Sequence, residues 1–247
     1  MSRPAREYSV TGIYHVVIRG INKQSIFEQT SDYLKFKKII TKLKQELNFE
    51  IYVYCLMTNH VHILLKENNI GDIPLIMKRL LTGYAMYYNK KYDRTGPLFE
   101  SRYKSRTVEI DEYFLAVVRY IHRNPIKAKM VENLQDYIWS SYFEYVKNID
   151  GIADKQFVSE MLGNEDFISF HQYDDGLDFE INNRTRKTVD EIKNEIITEY
   201  SVQPEEIRKL PNKQKIELLY SLNDKYSLRQ IAEVTGISRI TIKSLIN

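Results

Sequence analysis

A single cysteine, Cys55, stands in 247 residues, so no intrachain disulfide can form and the chain suits a reducing compartment. Its place in the apolar run YVYCLM marks it as a core residue, the usual position of a free thiol. No stretch approaches the roughly 18 apolar residues of a membrane span, and the first residues lack the apolar segment of a secretory signal. A cytoplasmic protein is expected. Internal repeats and low-complexity tracts are also missing, which excludes repeat arrays and tract-like linkers. What remains is an ordinary globular composition, 43% hydrophobic and 28% charged, too apolar for a disordered chain. Nineteen tyrosines are many, but tyrosine fills strands and cores as readily as it stacks on bases.

Net charge is only +3, yet it is unevenly spread. Residues 1–150 carry 23 Lys and Arg against 16 Asp and Glu, a net of +7, whereas residues 151–190 carry 4 against 9. Cations crowd at Arg94, Arg102, Lys104 and Arg106, and again at Arg119, Arg123, Lys127 and Lys129. Such a distribution suits a phosphate-binding face, and equally a solvated surface.

The run GIYHVVIRG predicts a strand, residues 31–47 a helix, and FEIYVYCLMT with HVHILLKEN two strands turning at Thr58 and Asn59. A second helix follows over IPLIMKRLLTGYAMYYNKKY, then the extended segment GPLFESRYKSRTVEI. DEYFLAVVRYIHRN reads as a third helix stopped by Pro125. This order predicts an α+β, ferredoxin-like antiparallel sheet backed by helices. The expected domains are a catalytic unit over 1–148, an acidic connecting region over 149–187 with some helix around 155–170, and a helical unit over 188–247. In the last, SLRQIAEVTGISRITIKSLIN places Ala232, Gly236 and Ile242 at helix-turn-helix spacing, with Ile231, Ile237 and Leu245 inside. Ser238, Arg239, Thr241 and Lys243 would then open the second helix, where contacts to duplex DNA are made. A purely structural hairpin would show the same spacing.

Alternation along a strand sends His60 and His62 of NHVHILL to one face, where two imidazoles can grip one metal ion or simply form hydrogen bonds. In YIHRNP, Tyr120 and Asn124 lie four residues apart on one helix face, a phenol and an amide oxygen that would complete such a site. Packing is the commoner role of a helical tyrosine. His122 should face away from that pair and serve structure.

Five blocks in order, GIYHVVIRGINKQSIF, YCLMTNHVHILL, TGYAMYYNKKYDRTGPLFESRYKS, VVRYIHRNPIKAKMV and YIWSSY, resemble the single-tyrosine HUH transposases, and most closely the REP-associated tyrosine transposases. The resemblance covers about residues 12–145. It implies a ferredoxin-like palm, Mg²⁺ or Mn²⁺ held by His60, His62 and Asn124, and Tyr120 as the nucleophile. It also implies a single-stranded DNA substrate carrying a hairpin, cut and rejoined through a 5′-phosphotyrosine. Candidate DNA contacts are Arg19, Arg102, Lys104, Arg106 and Arg123, with Tyr84, Tyr88 or Tyr103 available to stack on bases. Glu100 and Lys104 are conceivable partners for the phenol proton, though no residue identifies the base. After the helix, KAKMV departs from the family pattern, in which a glycine is often expected. A monomer is favoured over a homodimer; insertion-sequence relatives are typically dimers that exchange catalytic helices. The competing readings are a non-cutting, sequence-specific DNA-binding regulator, and a hydrolytic or RNA-directed metalloenzyme that leaves no covalent adduct.

Overall fold

β-Branched and aromatic runs become the four strands of one antiparallel sheet in the computed structural model, which describes residues 8–100, 102–172, 188–226 and 228–246. The strands are β1 (Ile13–Arg19), β2 (Glu50–Met57), β3 (His60–Lys66) and β4 (Lys104–Thr107), in the order β2-β3-β1-β4. With helices α1 (Thr30–Leu47) and α2 (Ile73–Lys91) between them, this is the expected ferredoxin-like arrangement. Of the long extended segment only four residues pair as strand.

Period-two alternation divides the sheet cleanly. Tyr14, Val16 and Ile18 of β1 and Val61, Ile63 and Leu65 of β3 pack against Phe36, Ile40 and Leu43 of α1 and Ile76, Met77 and Leu80 of α2. Ile13, Leu64, Cys55 and Met57 meet the second core, where α3 (Asp111–Lys127) supplies Phe114, Val117, Val118 and Ile121. The free thiol is buried, as expected.

Pro125 does not stop α3; the helix continues to Lys127. Proline removes one amide, the partner that the Ile121 carbonyl would have had. Asn124 compensates, donating Nδ2 to the Tyr120 carbonyl at 2.8 Å and approaching the Ile121 carbonyl at 3.5 Å. The last turn closes through Ala128 N–H to the Asn124 carbonyl and Met130 N–H to the Pro125 carbonyl.

Residues 149–172 are not a connector. Short helices α4 (Tyr142–Val146), α5 (Lys155–Leu162) and α6 (Phe167–Gln172) follow α3, and Val158 and Phe170 enter the second core. Asp154 accepts from the Ile51 amide and from Lys44, fastening the segment to β2 and α1. A few well-spaced apolar residues outweigh the acidic composition. The chain divides into compact units over Met1–Ile181 and Asn182–Asn247; the remainder of the expected connector, 173–187, lies outside the described residues.

The second unit holds α7 (Val189–Tyr200), α8 (Asn212–Lys225), α9 (Leu228–Thr235) and α10 (Arg239–Ile246) around its own core, which includes Ile192, Leu219, Ile231 and Ile242. The Thr188 side chain caps α7 by accepting from the Glu191 amide, so the periodic segment starts where the sequence placed it. Gly236, at φ +69, turns α9 into α10, and Ile237 is buried at the corner.

Lys129 adopts φ +55, a left-handed conformation that costs a side-chain-bearing residue roughly 1–2 kcal/mol. Lys129→Gly should therefore stabilise the protein by about 0.5–1 kcal/mol after the extra chain entropy of glycine is subtracted. A urea midpoint that falls rather than rises would contradict this account of the turn.

Candidate active site

Antiparallel pairing assembles the site from residues far apart in sequence. Arg19 lies opposite His60 and Val17 opposite His62, while on the other side of β1 Val17 meets Lys104 and His15 meets Arg106. Directly paired residues share a face. Arg19, His60, His62, His15, Lys104 and Arg106 thus all belong to the side of the sheet that α3 covers.

Tyr120 reaches this face from α3. Its ring stands edge-on to His62 with centroids 5.5 Å apart, and to His15 at 5.9 Å. Asn124, one turn later, is buried, and its amide nitrogen is tied to the Tyr120 carbonyl. Oδ1 is left as the end of that side chain suited to a cation. The ammonium of Lys127 lies 5.5 Å from the Tyr120 ring centroid.

The histidines are oriented from behind. Asn59 donates Nδ2 to the Lys23 carbonyl at 3.2 Å, which turns its Oδ1 toward His60 Nδ1 at 2.6 Å. An amide oxygen only accepts, so His60 carries its proton on Nδ1 and offers the Nε2 lone pair. His62 Nδ1 is also engaged, by His15 Nε2 at 3.0 Å, and the two rings stack. His15 Nδ1 is buried with no hydrogen-bond partner.

Burial sets the charge state of these groups. It holds His60 down to about 4, with the Arg19 charge adding to the effect, and His15 down to about 3, with Arg106 adding. His62 is also lowered well below its ordinary value, by burial first and then by His15, His60 and Arg19. Neutral imidazoles are the form that binds metal. Among the described residues no group of three His, Cys, Asp or Glu side chains could hold a metal ion. A divalent ion bound here would therefore need an oxygen donor such as Asn124 Oδ1 beside His60 and His62. Two imidazoles and one amide oxygen fit such an ion and leave positions for substrate oxygens.

The other sequence-predicted contacts divide. Arg19, Arg102 and Lys104 line a small cleft with Val17 and Glu100 next to the histidine face, so the basic strand end gathers as expected. Arg123 lies on α3 but donates Nη1 to the His171 carbonyl of α6 at 2.9 Å, alongside Arg119, which reaches the Phe170 carbonyl. Tyr84, Tyr88 and Tyr103 are buried in the first core, and Tyr84 donates to the Ile26 carbonyl; base stacking on them is ruled out in this conformation. Ser238, Arg239, Thr241 and Lys243 are exposed on α10, with Ser238 Oγ also accepting from the Thr241 amide as the helix cap. His122 faces away from the site, as expected. It joins His171 Nε2 through Nδ1 and Ser141 Oγ through Nε2, both at 2.8 Å, while His171 Nδ1 donates to the Phe167 carbonyl. Sequence reasoning missed His15 and Asn59 and read Lys127 only as one of a basic cluster, because each meets these side chains through a pairing or a helical turn that one strand's pattern does not display.

Residues 9–124 match the family described as transposase IS200 like. Just under half of the chain is thus similar to the IS200-like transposases. The match runs from before β1 to Asn124, and so contains His15, His60, His62 and Tyr120 while leaving out α4–α6 and the second unit. A Haemophilus influenzae protein named for the REP-associated tyrosine transposases is 25% identical over 161 residues, covering 60% of this chain and 89% of the relative. The solved structure of a REP-associated tyrosine transposase bound to a REP hairpin shares the fold, with a TM-score of 0.51 and 19% identity, over 62% of this chain and 90% of that one. Among the described residues no helix is long and apolar enough to cross a membrane.

All five histidines lie in the first unit, and burial also lowers His122 and holds His171 at about 4. Unfolding frees imidazoles that take up protons near pH 6.5, so below that pH the unfolded state binds more protons than the folded one. Stability should fall as pH drops from 6.5 toward about 4, by roughly 2 kcal/mol or more at pH 5 in chelator-treated protein. Denaturant titrations at pH 7.5, 6 and 5 measure it; a flat profile would mean that these rings are not held neutral.

Proposed function

We propose that this protein is a metal-dependent single-strand DNA endonuclease and transesterase acting through Tyr120. The observation that carries the proposal is the Tyr120 ring set edge-on against His62 on the face where His60 and His62 share a strand side. Tyr120 Oη attacks phosphorus, the new O–P bond forms as the bond to the 3′ oxygen breaks, and the departing oxygen takes a proton to become a 3′-hydroxyl. The phosphotyrosine retains the ester, so the reverse attack rejoins strands without further energy input. Mg²⁺ or Mn²⁺ at His60, His62 and Asn124 would draw charge from a nonbridging phosphate oxygen.

The chain's own residues prepare this step. Lys127 places its ammonium over the Tyr120 ring, a cation–π contact that helps to hold the phenol in place. Asn124, fixed through Nδ2, ties its side-chain orientation to the helical turn that carries Tyr120. Arg19, Arg102, Lys104 and Arg106 would follow the DNA phosphates, and α10 would contact duplex or stem DNA with Arg239 and Lys243. The substrate class is single-stranded DNA with a hairpin, in keeping with the hairpin held by the related transposase. Cleavage is expected within one chain, since Tyr120 meets the histidines of its own sheet.

Purified protein, labelled hairpin oligonucleotides drawn from the gene's own flanks, and Mn²⁺ or Mg²⁺ test the proposal on a denaturing gel. Wild type should yield a slow-migrating adduct that Tyr120→Phe and His62→Ala lack, and Lys127→Gln should lower the yield of adduct at neutral pH. Cleavage without adduct would point to hydrolysis, and an adduct in Tyr120→Phe would place the nucleophile elsewhere. Binding without cutting across all the hairpins would favour a regulator.

A further inference from the structure

His60 and His62 differ in what stands behind them. His60 Nδ1 faces an amide oxygen that can only accept, so its tautomer is settled by Asn59. His62 Nδ1 faces the Nε2 of another imidazole at 3.0 Å, and a bond between two imidazoles can run in either direction. If His15 donates, the proton of neutral His62 sits on Nε2 and closes the position needed for a metal. If His62 donates, its Nε2 lone pair is open, and His15 must then carry its own proton on Nδ1. That Nδ1 is buried and has no hydrogen-bond partner. Leaving a buried polar atom unpaired costs stability, of the order of 1–3 kcal/mol, so an imidazole at this position needs a reason.

From this geometry we infer that His15 is the positioning residue of the metal site: it accepts a hydrogen bond from His62 Nδ1 and thereby keeps His62 Nε2 open to a divalent cation. The inference rests on the proposed metal role of His62 and adds the group that fixes its tautomer and ring plane. The pairing of β1 with β3 supplies the geometry. His15 stands two residues from Val17, the partner of His62, so both rings emerge on one face and stack with centroids 5.3 Å apart. His15 also lies edge-on to Tyr120, which leaves its ring little room to turn. An apolar side chain of the same size would fill the volume but could not accept the bond. Groups that orient a metal-bound histidine in this way are typically worth 10- to 100-fold in metal affinity.

Mn²⁺ binding, followed by electron paramagnetic resonance of the free ion, tests the assignment on full-length wild type, His62→Ala, His15→Phe and His15→Gln. The expected result is His62-dependent binding that weakens 10- to 100-fold in His15→Phe and returns to within a few-fold of wild type in His15→Gln, whose amide oxygen can accept. Binding that His15→Phe leaves unchanged overturns the inference, as does an equal loss in both His15 variants, which would show a packing role. Equal Mn²⁺ affinity in wild type and His62→Ala would instead defeat the metal reading itself, and the His15 assignment with it. Should His15→Phe fail to fold, imidazole ¹⁵N spectra of Mg²⁺-saturated wild type decide: protons on Nδ1 of both His62 and His15 support the inference, and a proton on His15 Nε2 overturns it.

Discussion

The β1–β3 pairing is the constraint on which the site depends. Its register sets Arg19 against His60 and Val17 against His62, with Val61 and Ile63 turned into the opposite core. A slip of one residue would exchange the faces, burying the histidines among the aromatics of α1 and α2 and presenting valine and isoleucine to α3. The register is well protected, because Tyr14, Val16, Ile18, Val61, Ile63 and Leu65 are nearly fully buried on the other side and would all be misplaced. Core packing on one face of the sheet thus holds chemistry in place on the other.

Helix α3 converts that prepared face into a site. Phe114, Val117, Val118 and Ile121 seat it on the sheet, and spacing by one turn brings Tyr120 and Asn124 along with them. The opposite flank of α3 is held by α6 through His122, Arg119 and Arg123. The hydrogen bonds there have a defined polarity: His171 donates to the Phe167 carbonyl, so His122 donates to His171 and accepts from Ser141. A helix fixed on two sides carries its tyrosine with little freedom, as the proposed attack by Tyr120 requires.

Much of this was visible in the amino-acid pattern. The alternation of His60-Val61-His62 and the four-residue spacing of Tyr120 and Asn124 report faces directly, and the strand and helix order predicts the ferredoxin-like sheet that the structure shows. His15 escaped because its importance arises from a partner 47 residues away, through a register that no single strand declares. The continuation of α3 beyond Pro125 escaped for a similar reason: the rule for proline is local, and the Asn124 amide that eases it belongs to the same short motif. The acidic stretch after residue 150 misled by composition, since Val158, Phe170 and Asp154 decide its packing while Glu160, Glu165 and Asp166 stay exposed. Tyr84 and Tyr88 illustrate the converse, aromatic residues in a basic region that the core claims.

The central claim is that one chain composes the whole site, with Tyr120 acting beside the histidines of its own sheet. Mixing Tyr120→Phe protein with His62→Ala protein, each inactive alone, tests it directly in the hairpin cleavage reaction. A chain-internal site predicts that the mixture stays inactive at every ratio and concentration. Recovery of a substantial fraction of wild-type cleavage, rising with protein concentration, would show that the tyrosine of one copy serves the histidines of another and would contradict the account.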